Sequence, residues 1–120
     1  MKLAVTSQGL DPGSALDGRF GRAKCFVVID TESGQTTAVD NSVNLNAAQG
    51  AGIQAGRMVV ELGAEAVITG HVGPKAFATL QAGGVKVYTG ATGTVADAIE
   101  QFKAGKLKLA ASADVEGHWV

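Results

Sequence analysis

The run Val67-Ile68-Thr69-Gly70-His71-Val72-Gly73-Pro74-Lys75 joins an apolar segment to a glycine loop and then to a helix start. Proline is pre-organised for the first helical position, where no amide hydrogen is needed. The free amides and the positive end of the helix dipole then face the space beyond the strand end, and an anion fits there. His71, one of two histidines in the chain, could bind a metal through one imidazole nitrogen. A single histidine makes a poor metal site by itself, because first-row metals take several ligands. His71 is therefore expected at the rim of an anion site, or touching the metal of a bound group.

Other residues could join it. Arg19, Arg22 and Lys75 are the cations expected near the strand ends, and Arg19 and Arg22 flank the Phe20-Gly21 pair. Guanidinium groups, helix-terminal amides and apolar walls together suit a bulky anion. Arg19, Phe20 and Arg22 are expected to form one wall, and the amides of Gly73 and Lys75 another. Gly70, Gly73, Gly90 and Gly93 permit close backbone approach, although turn geometry alone accounts for many glycines. Thr89-Gly90-Ala91-Thr92-Gly93-Thr94 adds hydroxyls and amides at the mouth, but lacks the Gly-Lys-Ser/Thr ending of a phosphate loop. Cys25 is a soft metal ligand by type. It opens an apolar strand, however, where a free cysteine is usually a small buried hydrophobe. Arg22 and Lys24 would lower its pKa only if it were exposed. His118 and Trp119 could close over a ligand from the tail, if that end is ordered.

These residues need elements to hold them. Lys2 to Thr6 reads as a strand, followed by a long Gly-, Asp- and Pro-containing loop to Arg22. Cys25 to Asp30 and Gln35 to Asp40 read as strands joined by Thr31-Glu32-Ser33-Gly34, a turn so short that the two must be antiparallel. Asn46 to Leu62 reads as a helix with Ala51, Ala55, Met58, Val59 and Leu62 on one face, stopped by Gly63. Ala66 to Thr69, Pro74 to Gln81 and Val85 to Tyr88 read as strand, helix and strand. Val95 to Ala104 reads as the last helix, capped by Thr94 with Asp97 close to a capping box. The order β-β-β-α-β-α-β-α predicts a mixed five-stranded α/β sheet of order 3-2-1-4-5, with helices on both faces. In such sheets ligands bind beyond the carboxyl ends of the parallel strands.

The bulk composition narrows the possibilities. A chain of 120 residues with 46% hydrophobic and 18% charged residues is expected to form one globular domain. Net charge is −1, so bulk nucleic-acid binding is not expected. No apolar run approaches membrane-spanning length, and no signal peptide is read at the start. A lone cysteine fits a reducing cytoplasm. Metal-dependent nucleases need converging carboxylates, and the first, fourth and fifth strands carry no acid. No Ser-His-Asp or Cys-His arrangement is suggested by neighbouring motifs.

Several motifs in order now resemble a known family. They are Arg19-Phe20-Gly21-Arg22-Ala23, Phe26-Val27-Val28-Ile29-Asp30, Gln49-Gly50-Ala51-Gly52, Ile68-Thr69-Gly70-x-x-Gly73-Pro74-Lys75-Ala76, Gly84-Val85-Lys86-Val87-Tyr88 and Gly105-Lys106-Leu107. Over about residues 1 to 109 the chain resembles the dinitrogenase iron–molybdenum cofactor-binding family. That resemblance implies a ribonuclease-H-like α/β fold and a non-catalytic role in binding or carrying a metal–sulfur cluster. Short single-domain members, which this chain is similar to, carry a molybdenum–copper sulfide cluster held without covalent bonds. The alternative cargo is iron–molybdenum cofactor or its precursor. Nitrogenase carriers often have a histidine before the Phe-Gly pair, where this chain has Arg19. That departure weakens a direct iron-cluster ligand and suits electrostatic capture of an anionic thiometallate.

Two other readings stay open at this point: a phosphate- or nucleotide-binding regulatory module using the helix N-termini, and a protein-interaction module in a larger complex. A cluster carrier would also meet other proteins of a cofactor-assembly or regulatory complex, and is expected to be a monomer. After Leu109 the periodic stripes vanish, so residues 1–109 are expected to form the domain and residues 110–120 a flexible tail. Deleting Ala111 to Val120 is expected to leave the melting temperature nearly unchanged. A large fall would show that the tail packs.

Overall fold

The structure is a computed structural model that describes residues 1–45 and 50–113. Its elements are β1 (Lys2–Ser7), β2 (Cys25–Asp30), β3 (Thr36–Asp40), α1 (Ser42–Leu45), α2 (Ala51–Glu61), β4 (Ala66–Ile68), α3 (Pro74–Ala82), β5 (Lys86–Thr89), α4 (Val95–Lys103) and β6 (Lys108–Leu109). They build one sheet of order β3-β2-β1-β4-β5-β6. β1, β4 and β5 are mutually parallel, while β2, β3 and β6 run antiparallel to their neighbours. The order 3-2-1-4-5 read from the sequence is therefore present, with a sixth strand added at the β5 edge. β6 pairs Leu109 with Tyr88 and Lys108 with Thr89. Two residues are too few for an alternation to show in sequence.

The turn after β2 is built as its residues dictate. The Asp30 carboxylate accepts the Glu32 and Ser33 amides, and Gly34 takes a positive φ of 75°. The helix expected from Asn46 starts later. A short α1 precedes it, and α2 begins at Ala51, immediately after Gly50 with φ 82°. That left-handed backbone cannot lie inside a right-handed helix, so Gly50 marks the boundary. Residues 46–49 of the expected helix lie outside the described residues.

Strand alternation sorts the core into two layers. Ala4, Phe26, Val28, Val67 and Val87 face α2 and α3, where they meet Ala55, Val59, Ala76, Phe77 and Leu80. Leu3, Val5, Val27, Ile29, Ala66 and Ile68 face the other way, toward Val95 and Ala98 of α4. Past Leu109, the Ala110 amide donates to Val87 O at 2.8 Å, and Ala110 and Ala113 rest partly buried on the α3 layer. His118 and Trp119 lie outside the described residues. Among the described residues, no helix is long and apolar enough to cross a membrane.

One contact fixes the loops beyond the strand ends. A side chain built on Gly70 would put its Cβ 2.8 Å from Gly18 O and 2.9 Å from Gly18 Cα. Both are backbone atoms and cannot swing aside. Gly70→Ala is therefore expected to destabilise the fold by about 1–3 kcal/mol, the usual cost of overpacking a fitted site, read as a lower urea midpoint. A midpoint equal to wild type would show that the loops part freely.

Candidate anion-binding site

One edge of the sheet collects the carboxyl ends of β1, β4 and β5. Because β2 and β3 alternate in direction, the start of β2 and the end of β3 lie there too. α3 and α4 follow β4 and β5, and α2 runs back to the start of β4, so all three begin at this edge. They begin differently. α4 is closed by a full capping box: the Thr94 hydroxyl accepts the Asp97 amide at 3.1 Å, and the Asp97 carboxylate accepts the Thr94 amide at 3.0 Å. α2 and α3 have no side-chain cap and no acidic residue in the first turn. In α3, Gly73 is the extended cap and Pro74 the first residue. The amides of Lys75 and Ala76 therefore have no acceptor within the helix. The two open dipole ends thus belong to one face of the sheet, and the closed end to the other.

Two loops meet above this edge. The His71 amide donates to Gly18 O at 2.8 Å, and the Phe20 amide donates to His71 O at 3.2 Å. Arg19 and His71 form a parallel bridge, and both side chains are exposed. Below them the Thr6 hydroxyl donates to Asp17 O at 2.6 Å and lies 3.0 Å from the Thr69 hydroxyl. The Asp17 amide in turn donates to Thr6 O at 3.0 Å. The Asp17 carboxylate accepts the Arg19 amide at 3.1 Å, which sets the turn that presents Arg19. Burial pushes the Asp17 carboxyl above the usual carboxylate range, partly offset by the Arg19 amide and by the charges of Arg19 and Lys24.

The residues picked from the sequence fall into three groups. Arg19, Arg22, His71 and Lys75 are exposed at this edge, and Gly90 joins it by donating its amide to Gly70 O at 3.0 Å. Gly21, Gly70 and Gly73 are buried in the loops, and Thr89 is buried at the end of β5. Phe20 departs from expectation. Its ring is 1% exposed and packs against Phe26 at 5.5 Å between centroids, so it anchors the loop from below instead of walling a pocket. Cys25 shares the α4 face with Val27 and Ile29 by alternation, away from the α2 and α3 starts. Burial pushes its thiol up, Asp40 adds to this, and Lys24 opposes it. That environment keeps a protonated thiol and disfavours a thiolate ligand.

Sequence reasoning missed Asn41 and Asp17. Asn41 is fully buried. Its side-chain amide donates to Ala23 O at 2.7 Å, and its backbone amide donates to Lys24 O at 2.8 Å. It therefore pins the segment that carries Arg22. An Asp-Asn-Ser triplet after a strand and an Asp-Gly pair in a loop were the available signals, and both also describe ordinary turns.

Among the described residues no group of three or more His, Cys, Asp and Glu could hold a metal ion. The edge offers cations, amides and hydroxyls, a donor set for an anion. The chain is similar to known proteins over nearly its whole length. The apo orange protein from Desulfovibrio gigas superposes with a TM-score of 0.92 at 39% identity, covering 95% of this chain and 96% of that one. A putative NifB protein from Thermotoga gives 0.84 at 40% identity, covering 97% and 98%. An uncharacterized protein of Methanocaldococcus jannaschii is 28% identical over 96 residues, 78% of this chain and 80% of that protein. The family described as dinitrogenase iron-molybdenum cofactor matches residues 1–105, and the chain belongs to that family.

Proposed function

We propose that the chain is a non-catalytic carrier for an anionic metal–sulfur cluster, held mainly without covalent bonds at the edge where β1, β4 and β5 end. The observation that carries this reading is the Arg19–His71 bridge beside the uncapped start of α3. It sets the exposed residues Arg19 and His71 side by side two residues ahead of the Gly73 cap, with no ring of metal-ligating side chains among the described residues. Family membership and the likeness to the orange protein support a metal–sulfur cargo. The cargo we favour is a molybdenum–copper sulfide cluster, with iron–molybdenum cofactor or its precursor as the second choice. A cytoplasmic monomer that meets a cofactor-assembly or regulatory complex is the setting we propose.

The residues have distinct roles in this reading. Arg19 and Arg22 neutralise the cargo, and Lys75 and the first amides of α3 donate from one side. His71 sits at the rim, or touches the metal. Gly70 lets the Gly18 backbone come close, Gly73 caps α3, and Gly90 leaves open space where a side chain would stand. Gly21 permits the turn, Phe20 anchors Arg19 from the core, and Thr89 adds a hydroxyl. At this exposed edge salt screens the charges more than it would screen buried ones. Asp17 opposes the cargo electrostatically while shaping the turn that holds Arg19.

Reconstitution with thiomolybdate and copper, followed by visible absorbance and metal analysis, tests the reading. Losing one charged contact weakens binding by roughly 1–3 kcal/mol, about five- to a hundredfold, so Arg19→Ala and Arg22→Ala should each bind that much more weakly. His71→Ala should lose less than the arginine variants if it lies at the rim, and Cys25→Ser should bind like wild type. Asp17→Asn keeps the acceptor for the Arg19 amide but removes a negative charge, so it should bind more tightly. Arginine variants that bind like wild type, together with loss of binding in Cys25→Ser, would replace this site with a thiolate-ligated one.

A further inference from the structure

The three parallel strands end alike. Thr6, Thr69 and Thr89 follow Ala4, Val67 and Val87 by two residues, so all three side chains turn to the α2 and α3 face. All three are buried. Thr6 and Thr69 use their hydroxyls within the protein, on each other and on Asp17 O. Thr89 does not. It is 4% exposed, and its hydroxyl has no hydrogen-bond partner among the described residues. That oxygen is not among sealed, unsatisfied atoms either, so it opens to the surface.

We propose that the Thr89 hydroxyl and the first amides of α3 together bind one tetrahedral end group of an anion, oxo or thio, at this strand end. The proposal rests on the carrier reading and names the donors that would grip the cargo. The Gly90 amide ties the end of β5 to Gly70 O, next to the loop that opens α3. Thr89 is thereby tied, through the residue after it, to the loop three residues ahead of the Gly73 cap. Lys108, its partner in β6, leaves the sheet on the same face and adds a cation that the sequence did not single out. Lys75 adds another at the second helical position. A tetrahedral anion has several acceptor atoms, so it can take the Lys75 and Ala76 amides and a hydroxyl at once.

No hydrogen bond among the described residues uses this hydroxyl. Valine has the same shape, fits a strand at least as well and would fill the same buried position. The donor is therefore left to water or to a bound group. Molybdate and tetrathiomolybdate share charge and geometry but differ in acceptor atom, which makes them the two probes.

Binding of each anion to the full chain is measured by calorimetry for wild type, Thr89→Val, Thr89→Ser and Thr6→Val, with melting temperatures taken in the absence of anion. Thr89→Val should weaken binding about ten- to a hundredfold, the loss of one hydrogen bond to a charged group, with the melting temperature unchanged or higher. Thr89→Ser should keep binding within about threefold, since it retains the hydroxyl. Thr6→Val should lower the melting temperature, because it strips Asp17 O and Thr69 of their partner. The proposal is overturned if Thr89→Val binds like wild type, or if it lowers the melting temperature as Thr6→Val does. Tetrathiomolybdate binding that needs the arginines but not Thr89 leaves the carrier reading standing and overturns this site. Molybdate binding that needs Thr89, without any thiomolybdate binding, keeps this site and overturns the metal–sulfur cargo. If wild type binds neither anion, both are overturned.

Discussion

At the carboxyl edge of the sheet, two stretches of backbone touch with no side chain between them. Gly18 O and Cα lie where a Cβ on Gly70 would stand, and this closeness lets the 18–20 and 70–72 segments exchange hydrogen bonds. Those bonds extend the β1–β4 pairing past the strands themselves. Because the extension has strand geometry, it alternates: Phe20 goes down onto Phe26, and Arg19 comes up beside His71. The positions of the two exposed residues are thus consequences of a packing contact in the core. The buried Thr6 hydroxyl, itself beside the Thr69 hydroxyl, satisfies the carbonyl of Asp17 directly below, so the loop has no unsatisfied reason to lift.

The two faces of the sheet are not equivalent. On the α4 side the helix start is closed by its own Thr94 and Asp97, and by carbonyls and amides of residues 12–16. On the α2 and α3 side neither helix start has such a cap. Positive electrostatic potential from backbone therefore accumulates on one side of the edge and is neutralised on the other. A chain with net charge −1 can in this way hold a locally positive surface, because the field comes from oriented amides and a few cations instead of overall composition.

Much of this was legible in the sequence, for identifiable reasons. The Thr31–Gly34 turn was too short for anything but a hairpin, and Gly73-Pro74 marked a helix start. The three-residue spacing of Thr94 and Asp97 announced the capping box. The edge carrying the candidate site followed from the strand order. The rest lacked a readable signal. β6 is two residues long. Gly50 ends one segment and begins another with a backbone angle that composition does not reveal. Phe20 sits in a loop, where no period says which way a side chain turns, so its burial was invisible. Asn41 bonds to a carbonyl 18 residues away, and Asp17 to the first strand. Such long-range partners exist only once the sheet has formed.

Cys25 gives the molecule a property that matters for any soft-metal cargo. The sole thiol is buried at the start of β2, held protonated by its surroundings, and on the face away from the two open helix starts. Thiolates exchange with sulfide and capture copper tightly. In the carrier reading proposed above, a buried, protonated thiol would neither compete for the metal nor scramble the sulfur of the cargo. On that reading, a cargo held by charge and hydrogen bonds could be handed on whole, because release would require no covalent bond to break.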